Sequence, residues 1–190
     1  MADIMTAAKE LADRHRVKTV VVASDSGGSA RDALEVFGKE YALVAVGIPP
    51  ELRRIGEFHK TVQELTAQGV KYLVSFPILG HPISPLDRKL HPGDTDPLRV
   101  IQRTLRIFGE GAKVCLEIAM IAADQDAIST DHDCVAVVRP PDVSNCPHTA
   151  MVVHPAKSGD IFEHTLRVKD LVLVPGPKDH WFTDEPLWKG

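Results

Sequence analysis

The chain is short of most features that would declare its chemistry outright. Its 22 basic residues are outweighed by 26 acidic ones, for a formal net charge of −4, and Lys and Arg nowhere cluster. Binding to nucleic acid leaves a basic stripe, so no nucleic-acid partner is expected. Long hydrophobic runs are missing too. The longest, such as Thr19 to Ala23 and Tyr41 to Ile48, are strand-sized and far below a membrane span. Met1 to Glu10 carries acids and no long apolar core, so neither a secretory signal nor a membrane partner is expected. Three cysteines without a Cys-x-x-Cys pair fit reduced thiols in a cytoplasmic protein better than a disulfide framework. Gly-x-Gly-x-x-Gly is absent and no acid closes the second strand pattern at Val46, which excludes a dinucleotide fingerprint. With no Gly-Lys-Ser or Gly-Lys-Thr there is no P-loop. The nine histidines form no His-x-x-x-His or His-Glu-x-x-His pair, and no metal site follows from them.

What remains is an ordinary globular composition, 44% hydrophobic and 25% charged over 190 residues. That length suits one domain, taken as residues 1–177 with a tail from 178 to 190. Ile4 to His15 has helical spacing. Val17 to Ala23 is an almost unbroken apolar run, the signature of a strand covered on both faces of a parallel sheet. Ala30 to Phe37 is helical again and stops at Gly38. Tyr41 to Val46 and Val70 to Phe76 read as strands, with a helix marked by Phe58, Val62 and Leu65 between them and closed by Gly69. The proline-rich stretch from Pro77 to Pro97 shows little periodicity and reads as a lid or arm. Leu98 to Ala123 is the longest helical pattern, broken around Gly109-Glu110-Gly111. Cys134 to Val138, Thr149 to Val153 and Leu171 to Val174 complete the strands. The alternation predicts an α/β fold, a three-layer α/β/α sandwich on a mostly parallel sheet. Ligands in that architecture bind beyond the carboxyl ends of the strands, where Ser24, Gly47 and Phe76 fall.

Two glycine-bearing stretches carry the candidate chemistry. Val20-Val21-Val22-Ala23 runs into Ser24-Asp25-Ser26-Gly27-Gly28-Ser29-Ala30, a small-residue loop ahead of a helix. Backbone N–H groups at a helix start, with hydroxyls beside them, hold anions such as phosphate. The same layout also serves as a plain serine-capped turn. Phe108-Gly109-Glu110-Gly111-Ala112-Lys113 is either a helix junction with Lys113 solvated or a close approach to a ligand. In the second case Lys113 offers its charge to a phosphate or an electron-rich ring. Glu117 stands four residues on, where it can pair with Lys113 along the helix. Asp124, Asp126, Asp131, His132, Asp133 and Cys134 make an acidic patch whose spacing matches neither an EF-hand nor a zinc motif, and it reads as a solvated helix end and turn. Cys146-Pro147-His148 has no base or orienting acid placed beside it and reads as a loop cysteine.

These residues resemble the pyruvate kinase C-terminal-domain family, and in particular its stand-alone prokaryotic branch. The Ser24 to Ala30 loop is similar to the Thr-Lys-Ser-Gly-Arg-Ser-Ala loop that holds a sugar phosphate in allosteric pyruvate kinases. Thr104-Leu105-Arg106-Ile107-Phe108-Gly109-Glu110-Gly111-Ala112-Lys113-Val114, Glu117 to Asp124 and His154-Pro155-Ala156 resemble the stand-alone branch. The resemblance spans roughly Ala7 to Pro175. It implies the sheet domain without the kinase barrel, hence no pyruvate kinase activity. It also implies a homo-oligomer, since kinase C-terminal domains serve as subunit contacts, and flavin mononucleotide (FMN) as cofactor. In that scheme Ser24, Asp25, Ser26, Gly27, Gly28 and Ser29 surround the phosphate, and the ring lies toward Gly47, His81, Phe108, Gly109, Gly111 and Lys113. The chain departs from the kinase loop at Asp25, in place of a basic residue, and at Gly28, in place of arginine, so one phosphate monoester suits it better than a bisphosphate. Around His81, the family's His-Ala-Leu-Ser-Gly is His81-Pro82-Ile83-Ser84-Pro85 here. The expected function is binding of a phosphorylated small molecule. A flavin-dependent oxidoreductase and a regulatory or assembly module with a vacant pocket are the alternatives.

Overall fold

Val20, Val21 and Val22 have no solvent exposure at all. Such a run is stable only where both faces of a strand are covered. A computed structural model, describing residues 3–49, 57–79, 97–139, 148–163 and 165–174, supplies both covers. The run lies in β1 (Thr19–Ala23), at the centre of a six-stranded sheet with β2 (Ala42–Gly47), β3 (Lys71–Val74), β4 (Cys134–Val138), β5 (His148–His154) and β6 (Arg167–Val174). The strand order is β3-β2-β1-β4-β5-β6. β1 to β4 run parallel, β5 runs antiparallel between β4 and β6, and β6 therefore shares the direction of β1 to β4. The fold is the expected α/β sandwich.

Val20 and Val22 face a core built with α1 (Ile4–His15), α2 (Gly28–Phe37) and Leu65 of α3 (Phe58–Ala67). Val21 faces the other core, against Ala112, Cys115, Ile118 and Ala119 of α5 (Glu110–Asp124). Each of these valines contributes roughly 2 kcal/mol by leaving water. The faces follow from connectivity. Right-handed crossovers from β1 through α2 to β2, and through α3 to β3, put those helices on one side. The return to β4, on the far side of β1, brings α5 to the other. A shorter helix, α4 (Pro97–Leu105), and a 3-10 turn at Arg106–Phe108 precede α5. Gly109, at φ +95, breaks the long helical pattern where its glycines predicted.

The chain order reverses between β1 and β4, so the crevice beyond their carboxyl ends is the ligand position of this architecture. α2 begins there. So does α5, which runs against the parallel strands: Lys71, first in β3, donates to the Asp126 carbonyl past the end of α5 (3.3 Å). At the other end, Leu79 N–H, beyond the end of β3, donates to Glu117 Oε1 in the first half of α5 (3.0 Å). Two helix N-termini therefore meet the same end of the sheet from opposite faces. The expected lid lies largely outside the described residues, as do His81, Cys146 and the tail from 178. No helix among the described residues is long and apolar enough to cross a membrane.

Candidate functional site

The loop between β1 and α2 is a turn held from below and open above. Ser24 is buried; its N–H donates to the Val46 carbonyl (2.9 Å) and its Oγ accepts from Ala30 N–H (3.2 Å). A serine does satisfy one N–H of the helix start, but from outside the cap position, which Gly27 fills at φ +88 without a side-chain bond. Gly27 is required by packing: a Cβ there would stand 2.2 Å from Thr61 Cγ2 of α3. Gly28 is different. It is exposed, and a Cβ on it would meet only Ser26 Oγ, at 3.8 Å. The close-approach face of the loop is therefore Gly28 and the exposed Ser26. The backbone N–H groups of Ser26, Gly27, Gly28 and Ser29 make no hydrogen bond among the described residues. Ser29 Oγ donates to the Arg139 carbonyl at 3.4 Å.

Asp25 and Gly47 brace this loop. Asp25 Oδ1 accepts from Ile48 N–H (3.2 Å), which ties the turn after β1 to the turn after β2. A Cβ on Gly47 would come within 2.7 Å of the Ser24 carbonyl and 3.1 Å of the Tyr72 hydroxyl. That hydroxyl donates to the Ser24 carbonyl across the gap Gly47 leaves. Burial, with the Asp25 charge acting the same way, pushes the Tyr72 phenol up to about 12 although the Ser24 bond works against them. The smallness of Gly47 is thus accounted for by protein atoms.

The mouth of α5 is built from charged side chains. Lys113 is one of the largest fully buried residues, which corrects the expectation of a solvated lysine in a bare helix junction. Its ammonium contacts Glu110 Oε1 and Glu117 Oε2, both at 2.9 Å. The Glu117 pairing expected from the i,i+4 spacing is present. Arg106 donates through Nε and Nη2 to the two oxygens of Glu110. Burial works to raise the Glu110 carboxyl, but the Arg106 hydrogen bonds and the Lys113 and Arg106 charges together hold it below the ordinary glutamate range. Gly109 is buried behind this network, while Phe108 beside it is about half exposed.

Three residues of this region were not among the expected site residues. Arg139 follows β4 directly and comes level with Ser24 because Val137 pairs with Val22. Its guanidinium pairs with Asp32 on α2. Gln102 and Arg106 are both buried, and Gln102 Nε2 and Arg106 Nη1 have no hydrogen-bond partner among the described residues. Arg106 lies in the Thr104 to Val114 stretch noted in the sequence, and Gln102 is signalled only by the four-residue spacing that puts it on the same helix face.

Other candidates are engaged elsewhere. Asp124 accepts from Ser158 N–H (2.8 Å), Asp126 pairs with Lys157 (2.8 Å), and Asp133 pairs with His154 (2.9 Å) and Lys169 (2.6 Å). Cys115 Sγ donates to the Ala136 carbonyl, and burial pushes the Cys134 thiol up to about 12, so both are poor nucleophiles.

No family model matches the sequence. Among solved structures the chain is similar to Cryptosporidium parvum pyruvate kinase in complex with ADP, with 14% sequence identity and a TM-score of 0.36. The match covers 93% of this chain and 24% of that one, so the chain spans about a quarter of the enzyme's length.

Proposed function

We propose that this chain binds a phosphorylated small molecule at the carboxyl end of β1, with FMN as the ligand. One observation carries the reading: four successive N–H groups, Ser26 to Ser29, stand without partners among the described residues at the start of a ten-residue helix in the switch-point crevice. Unpaired N–H groups and the helix dipole make that position attractive to one phosphate group. The donor set fits a monoester, since the loop offers backbone, the Ser26 hydroxyl and the neighbouring Arg139, and no cation of its own. The exposed Phe108 ring offers a face on which a planar ring can stack. FMN, when bound, would supply redox chemistry; the protein residues described here hold and orient.

Titration of the purified protein with FMN, followed by quenching of flavin fluorescence, should give saturable binding. Ser29→Asp should weaken it at least about tenfold, because a carboxylate then faces the phosphate at close range. The added acid at a helix start should leave stability unchanged or raise it by a few tenths of a kcal/mol. Absence of FMN binding, or full affinity in the variant, overturns the assignment. Bleaching of bound flavin by a reduced nicotinamide would extend it to an oxidoreductase.

A further inference from the structure

Gln102 and Arg106 form a second buried feature at this end of the sheet. Both are less than a tenth exposed, yet Gln102 Nε2 and Arg106 Nη1 donate to no acceptor among the described residues. A buried donor without an acceptor costs about 1–3 kcal/mol, and such groups in a folded protein call for an explanation. These two are four residues apart on one helical stretch, so they lie side by side. Arg106 cannot swing away to solve its own problem, because Nε and Nη2 are clamped by Glu110. Glu110 is held by Lys113, Lys113 by Glu117, and Glu117 by the Leu79 N–H. The donors are thus presented on a fixed frame, with Leu105 of the same stretch packed on the core that contains Val21.

The charges of the frame decide what the donors want. Arg106, Glu110, Lys113 and Glu117 sum formally to zero, and each side chain is less than a fifth exposed. A free anion placed there would leave an uncompensated buried charge, which costs several kcal/mol. A neutral carbonyl acceptor would not. We infer that Gln102 and Arg106 are the ring-end subsite of the pocket, donating N–H bonds to the carbonyl oxygens of a planar imide ring. This rests on the FMN reading above and extends it, since the pyrimidine ring of the flavin carries such carbonyls. The resemblance placed the ring toward Gly47, His81, Phe108, Gly109, Gly111 and Lys113; in this proposal Lys113 acts one step back, through Glu110, on the Arg106 that meets the ring carbonyls.

The test compares Gln102→Leu with wild type, using FMN and riboflavin as probes, the second lacking the phosphate. Leucine fills similar volume and removes an unsatisfied donor, so the free variant should melt at the same temperature or higher. Both probes should bind it about tenfold more weakly, and the carbonyl stretch of bound flavin in its Raman spectrum should move to higher frequency. Arg106→Lys should weaken both probes as well, whereas Ser29→Asp should weaken FMN alone. If wild type binds FMN and Gln102→Leu matches it in affinity and carbonyl frequency, the subsite is wrong and the phosphate reading stands. If wild type binds neither probe, both readings fail together.

Discussion

The two helix N-termini at the carboxyl end of the sheet solve the same problem in opposite ways. α2 starts with unpaired N–H groups, and no acidic side chain occupies its first turn. α5 starts with Glu110, whose carboxylate lies in the first turn and is locked by Arg106 and Lys113. The positive end of each dipole attracts negative charge. α5 receives it from its own sequence, and the first turn of α2 carries none. An open helix start must be made of backbone and small residues, which tolerate a newcomer. A plugged one can use long charged side chains, because nothing else needs to enter between them.

The sharpest way to break that contrast is to remove the cation at the centre of the plug. Lys113→Met leaves Glu110 and Glu117 buried without their shared partner and should lower unfolding free energy by about 3–5 kcal/mol in urea titrations. A variant as stable as wild type would mean that the four charges are not coupled. On the α2 side the two adjacent glycines should part company. Gly27→Ala meets both a left-handed backbone and Thr61, and should cost about 2 kcal/mol or more in the same titrations. Gly28→Ala should stay within about 0.5 kcal/mol of wild type while weakening FMN, since it intrudes only on the open face. Equal losses in both would show that the loop has no open side.

A smaller effect concerns acid. Glu110 titrates below its ordinary range in the folded protein, so its pairing adds stability above the unfolded-state value, and that stability is lost as pH falls through the folded value. Glu110→Gln should therefore be about 2 kcal/mol less stable than wild type at neutral pH. The gap should narrow once the pH falls below the ordinary glutamate range, as thermal melts across that range will show. A gap independent of pH would assign the loss to packing instead.

How much of this was legible in the sequence varied with the range of the forces involved. Val20, Val21 and Val22 announced a doubly covered strand because burial on both faces leaves no polar position to interrupt the run. Cys134 to Val138 was legible at its true bounds for the same reason. Edge strand β6 begins earlier than the apolar run at Leu171 to Val174, because Arg167 and Val168 pair with β5 through the backbone while their side chains stay exposed. The Ser24 loop was found by local composition, but the division of labour within it was not. Whether Gly27 or Gly28 faces a ligand depends on where Thr61 of another helix comes to rest. Lys113 looked like a surface lysine because its burial depends on Glu110, Glu117 and the α4 turn closing together. Arg139 acquires its place only when β4 pairs beside β1, a contact between segments far apart in the chain.

The contact between Gly27 and Thr61 has a mechanical consequence. With no room for even one methyl group at position 27, α3 and the loop cannot approach further, so α3 acts as a stop against which the loop seats. A bulkier side chain at position 61 would press the loop toward the crevice, and a smaller one would let it sink away. Positions 27 and 61 therefore constrain one another: a side chain gained at 27 would need volume lost at 61, on top of the strain of its left-handed backbone.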